Sequence, residues 1–201
     1  MKMKAPISRK ERIEHVLNAI TSPRFLDMQG YNEVPFFICD YPASDGLVIN
    51  EDREDIVKRA GHAGVRVLDL NLYDLCLEIL KERENLDQIL EEEAEIGKSE
   101  LLELLQNVLD SEEHLIPKIA EKIKEADHDV IFLSGVGEIY PYIRSHNVLN
   151  NLQSTAKHVP TVMFFPGTYT HALATGASLY LFGVLHDDKY YRAFNLMTYE
   201  V

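Results

Sequence analysis

Gly135 and Gly137, in the run Ser134-Gly-Val-Gly137-Glu138, follow an apolar stretch (129–134) and precede a helical pattern. In an α/β protein that position presents backbone amides to a bound anion. Glu138 lies in the same turn, and Arg144 and His146 come just after it. Arg144 supplies paired donors for a phosphate or carboxylate, and His146 a group that exchanges a proton near neutral pH. Gly135, Gly137, Glu138 and Arg144 are therefore the candidate ligand-binding residues. A dinucleotide fingerprint needs a third glycine where this chain has Tyr140. The competing reading, a tight turn where backbones pack closely, is the simpler one.

Other chemistries find less in the sequence. Gly97-Lys98-Ser99 lacks the glycine five residues earlier that a phosphate loop requires, since Glu92 stands there, and Glu91 to Ile96 reads as an acidic helix where that loop needs a strand. Gly97 is expected to end that helix and Ser99 to cap the next. There is no Gly-x-Ser-x-Gly elbow and no His-Glu-x-x-His helix, and the eight histidines are scattered. Cys39 and Cys76 are the two cysteines, without CxxC spacing, and Cys39 falls in an apolar run. No catalytic residue, no metal site and no cofactor is expected. A second candidate surface lies near the C-terminal end. Seven of the ten tyrosines fall in the last third, and Tyr190, Arg192 and Phe194 interleave aromatic and basic character, which suits a protein interface.

These residues need a scaffold, and the pattern along the chain describes one. Residues 9–20 read as an amphipathic helix ended by Ser22-Pro23, and 35–40 as a strand buried on both faces. Asn50 is placed to cap a helix terminated by Gly61 and Gly64, and 65–71 reads as the next strand. Residues 72–127 are helical throughout. Alternation resumes with a strand at 129–134, a helix at 142–157 and a strand at 159–165. Two further strands, 179–185 and 190–196, flank His186-Asp-Asp-Lys189 as a hairpin turn. The expectation is a single α/β domain over 1–201, a mainly parallel sheet flanked by helices. It carries an acidic helical insertion at about 72–127 and a C-terminal antiparallel hairpin.

The 201 residues carry a net charge of −13, unevenly distributed. Residues 78–127 hold 16 Asp and Glu against 6 Lys and Arg, a net of −10, which leaves −3 for the rest. The insertion repels a phosphate backbone, so direct nucleic-acid binding is not expected, and it is a candidate dock for a basic partner surface. The basic N-terminus lacks the apolar run of a signal peptide, and no stretch is apolar for long enough to span a bilayer. The expected location is the cytoplasm.

Three segments are specific enough to suggest a family. DVIFLSGVGEIYPYIRSHNVLNNLQ (129–153), VPTVMFFPGTYTHALATGASLYLFGVLHDDKYYRAFNL (159–196) and the strand Pro35 to Tyr41 resemble the BrxB family, small components of bacterial BREX anti-phage systems. The resemblance spans roughly residues 9–199. It implies a system more than a chemistry: such systems combine a PglX-type adenine methyltransferase, a large ATPase and a PglZ protein. It implies a non-enzymatic accessory or adaptor subunit of a phage-defence complex, with PglZ as the first partner expected and other BREX subunits after it. The alternative is a nucleotide-binding or hydrolytic subunit using the loop from Gly135 to Arg144. No catalytic residue is transferred from the family.

Overall fold

In the computed structural model, which describes residues 7–27, 35–156, 158–172, 176–187 and 193–200, the apolar runs become the strands of one parallel sheet. They are β1 (Phe36–Tyr41), β2 (Val67–Asn71), β3 (Val130–Ser134), β4 (Thr161–Ala172) and β7 (Phe194–Asn195), in the order β2-β3-β4-β1-β7. Every pairing along that path is parallel. Successive strand residues alternate between two cores, as pleating requires. Phe36, Ile38, Ile131, Leu133, Met163 and Phe165 belong to one core. Phe37, Cys39, Val130, Phe132, Val162 and Phe164 belong to the other. Burial on both faces explains why these runs read as continuously apolar.

Helices α1 (Arg9–Thr21), α2 (Pro23–Leu26) and α3 (Ile49–His62) cover the second core. Ser8 starts α1 with a capping box: its hydroxyl accepts from the Glu11 amide while its own amide donates to Glu11. The cap sets the helix phase, so Arg9 and Arg12, three apart, both face α3. There Asp52, 1% exposed, accepts from Arg9 Nε and, at 3.2 Å, from Arg12 Nη2. Arg12 is itself buried and also donates to Asp45 at 2.9 Å. Asn50 does not cap α3. The helix begins two residues earlier, with Val48 at the cap position, and Asp52 of its first turn is committed to the arginines.

The first core is closed by α4 (Leu72–Glu82), α5 (Leu86–Glu92), α6 (Lys98–Val108), a π-helical turn (Ser111–Leu115), α7 (Ile116–Glu125) and α8 (Ser145–Thr155). The helical stretch expected at 72–127 is thus the crossover between the neighbouring strands β2 and β3. Asn71 caps α4 by accepting from the Tyr73 amide at 2.8 Å. Gly97 takes the cap position of α6, so Ser99 lies inside that helix and does not begin it. Glu91 to Glu95 are all exposed.

The C-terminal hairpin differs from expectation in position. β4 runs on past the parallel sheet, and its outer half, Gly167–Ala172, pairs antiparallel with β5 (Gly176–Leu181). β5 pairs antiparallel with β6 (Leu185–Asp187) through a turn at 182–184. Phe182 and Gly183 take φ of 55° and 75°, which forms the turn three residues before the polar His186-Asp187. Phe194 and Asn195, the described end of the second expected arm, run parallel to β1 rather than antiparallel to β5. Residues 190–192 lie outside the described residues.

Cys39 and Cys76 are buried, and loss of solvation pushes both thiols up to about 12. A thiol-reactive dye at neutral pH is therefore expected to label neither in the native protein and both after denaturation. Labelling faster than global unfolding would contradict this packing.

Candidate functional site

In an open α/β sheet a ligand site is looked for beyond the carboxyl ends of the strands, where neighbouring connections diverge. Here β1 leads through α3 under one face, while β2 and β3 lead to helices on the other, and β4 continues outward. The space beside β1 and β4 is taken by the chain itself. Asp40 accepts from the Tyr169 amide at 3.0 Å and from Asn195 Nδ2 at 3.4 Å. The Tyr169 hydroxyl donates to the Ala193 carbonyl at 2.6 Å. Burial raises the Asp40 carboxyl above its ordinary value, opposed by the Tyr169 amide, and pushes the Tyr169 phenol up to about 12. These groups hold β1, β4 and β7 together.

The glycine loop is similarly occupied. Gly135 has φ of 78°, and a Cβ there would stand 2.4 Å from Asn71 Oδ1. At Gly137 a Cβ would stand 2.9 Å from the Phe182 ring and 3.0 Å from Pro166. The amides of Glu138 and Ile139 return to the Gly135 carbonyl at 3.0 and 3.2 Å. Glycine at 137 lets the loop lie directly against the ribbon formed by β4, β5 and β6. Glu138 is exposed at the outer rim. Arg144 is exposed at the cap position of α8, with no ion pair among the described residues. His146 is buried and has an interaction partner.

Between loop and ribbon runs a cleft of about 170 Å³. Tyr140, Arg144 and Ser145 form one wall, and Leu179, Leu181, Val184 and Leu185 the other. His186 lies at its side, stacked on Tyr180 with ring centroids 4.4 Å apart. The ribbon tip is apolar and open to solvent: Phe182 is 40% exposed and Val184 76%. Across the sheet Phe194 is 43% exposed on the edge strand β7, its ring 5.9 Å from that of Phe37. Tyr190 and Arg192, the other two expected interface residues, lie outside the described residues. No group of three or more metal-ligating side chains occurs among the described residues, and no helix there is long and apolar enough to cross a membrane.

The cleft thus sets Arg144 and Ser145 opposite an apolar wall. Comparison with known proteins agrees with the three sequence segments above. The family model described as "BREX protein BrxB" matches residues 68–196, more than half of the chain. The chain belongs to the BrxB family. BREX protein BrxB from Bacillus cereus (strain H3081.97) is 34% identical over 192 residues, covering 93% of this chain and 96% of that relative. BREX protein BrxB from Escherichia coli O9:H4 (strain HS) is 29% identical over 187 residues, covering 92% and 90%. No solved structure matches the chain. The stretch matched to the BrxB family takes in the glycine loop, the cleft, the ribbon and Phe194.

Sequence reasoning did not anticipate the hydrogen bonds that join Asp40 to Tyr169 and Asn195, or the ribbon's turn. The first join residues 129 and 155 positions apart, for which a single sequence carries no signal. The second had one: Phe182-Gly183 offers a glycine at a position needing positive φ.

Proposed function

We propose that the chain is a non-enzymatic adaptor subunit of a BREX phage-defence complex, binding a larger component of which a PglZ-type protein is the first choice. One observation carries the reading. The strand ends, where a catalytic α/β protein would keep an open crevice, are packed with Asp40, Tyr169, Asn195, Pro166 and Phe182, while large apolar side chains stand exposed beside them. Exposed apolar groups around a rigid strand framework suit a protein interface. Membership of the BrxB family supports the system, and the exposed ribbon and β7 edge support an attachment surface within it. Tyr190, Arg192 and Phe194 are the proposed interface residues, of which Phe194 lies on that edge.

Co-expression with the PglZ protein of the same host is expected to give one co-eluting species in size-exclusion chromatography. Phe194→Asp on the exposed face should weaken the complex by at least ~10-fold, the scale of an aromatic anchor lost from an interface. Independent migration of the two proteins at micromolar concentration would overturn the proposal. The alternative, a nucleotide site at Gly135, Gly137, Glu138 and Arg144, meets a size difficulty. Of those four only Arg144 lines the cleft, whose volume of about 170 Å³ is below the roughly 300–1,000 Å³ of ligand pockets.

A further inference from the structure

The cleft between the glycine loop and the ribbon divides its chemistry by wall. On the α8 side stand Arg144, without an ion pair among the described residues, and Ser145, which is 8% exposed, lines the cleft and has no side-chain hydrogen bond there. Helix α8, 11 residues long, starts at Ser145 with no side chain capping its first-turn amides, so its positive end opens toward the same place. The Ser145 hydroxyl is free to donate to an acceptor in the cleft. Opposite stand the aliphatic side chains of Leu179, Leu181, Val184 and Leu185. None of the described residues lining the cleft is a carboxylate. In a chain of net charge −13 this is a local site for a negative group.

The complementary occupant carries a negative charge and an aliphatic body within one small volume. A space of about 170 Å³ admits one aliphatic side chain and excludes a nucleotide. An internal Asp or Glu would meet the arginine and leave the leucine wall uncovered. An internal Leu-Glu pair would need room for two side chains. The last residue of a polypeptide, when aliphatic, supplies both parts at once: its carboxylate reaches Arg144, Ser145 and the α8 amides, and its side chain fills the apolar wall.

We infer that this cleft captures the C-terminal carboxylate and aliphatic last side chain of a partner polypeptide. The inference rests on the adaptor reading and names the chemistry of one of its contacts.

The test uses the full chain with methyl-labelled Leu and Val, observed by NMR during titration with N-acetyl-L-leucine, a mimic of such a terminus. The methyl signals of Leu179, Leu181, Val184 and Leu185 are expected to shift saturably in the millimolar range. N-acetyl-L-leucinamide, which lacks the carboxylate, should bind at least ~10-fold more weakly, as should N-acetyl-L-leucine to Arg144→Gln. Ser145→Ala should weaken it less, and the remaining signals of each variant report whether it is folded. Unmoved methyls, equal binding of the amide, or stronger binding of AMP than of N-acetyl-L-leucine would each overturn the inference. Failure of the two readings is separable. A chain that binds N-acetyl-L-leucine but migrates apart from PglZ refutes the adaptor, and one that co-elutes with unmoved methyls refutes the cleft.

Discussion

Gly167→Ala is expected to lower the unfolding free energy by ~3 kcal/mol or more, the upper range for forcing an atom into a packed site. In a chain of this size that corresponds to roughly 6–12 °C in Tm. Gly167 is where β4 leaves the parallel sheet and takes up its antiparallel partner, in register with Leu181. A Cβ there would lie 2.0 Å from the Tyr180 carbonyl oxygen and 3.0 Å from the Phe165 ring. The first obstacle is backbone, so relief requires separating β5 from β4 rather than turning a side chain. Gly183→Ala is the control. Its φ of 75° also disfavours a side chain, but nothing lies within 4 Å of the added atom, so only ~1 kcal/mol is expected. Thermal or urea unfolding of the two variants decides the matter, and equal losses would show that the close approach at 167 is not what holds the ribbon.

Asp52→Ala should cost about 3–5 kcal/mol, the range for removing one member of a buried ion pair. Asp52 is 1% exposed and serves both Arg9 and Arg12. Arg9 keeps Glu51 and reaches water, but the Arg12 side chain is 6% exposed and already leaves its Nε unbonded among the described residues. With Asp52 gone, Asp45 is the one carboxylate left to meet its charge among the described residues. The penalty is therefore one of stranded charge more than of lost attraction. The double variant Asp52→Leu, Arg12→Met is accordingly expected to recover most of the stability, because an apolar pair of similar size needs no solvation. If the double variant unfolds as easily as Asp52→Ala in urea, the α1–α3 contact depends on the ion pair itself, and the stranded-charge account fails.

Much of the fold was legible because burial on two faces leaves a direct trace. The runs at Phe36–Cys39 and Val130–Leu133 have no polar residue to interrupt them, and both became central strands. Capping was poorly legible: Asn50 yields its place to Val48, and Gly97 rather than Ser99 takes the cap position of α6. The outer half of β4 was hidden by Pro166-Gly167, which reads as a stop. In the structure the proline lacks only an amide, and the glycine admits the Tyr180 carbonyl. The parallel seat of β7 beside β1 rests on contacts far apart in sequence, including the Tyr169 hydroxyl on Ala193. Of the candidate residues, the glycines were recognisable as special, but what fills the space beside them is a ring and a proline from elsewhere in the chain. Two walls of a cleft cannot be read from the residues of one.

The 12-residue span of β4 has a mechanical side. Its inner half is clamped between β1 and β3, and its outer half carries β5 and, through it, β6. It is a beam built into the middle of the sheet with its load at the free end. A pull on Val184 or Leu185 travels along covalent backbone into the strand at the centre of the parallel sheet. Whatever grips the tip thereby holds the whole sheet by its central member, and the ribbon serves as a handle.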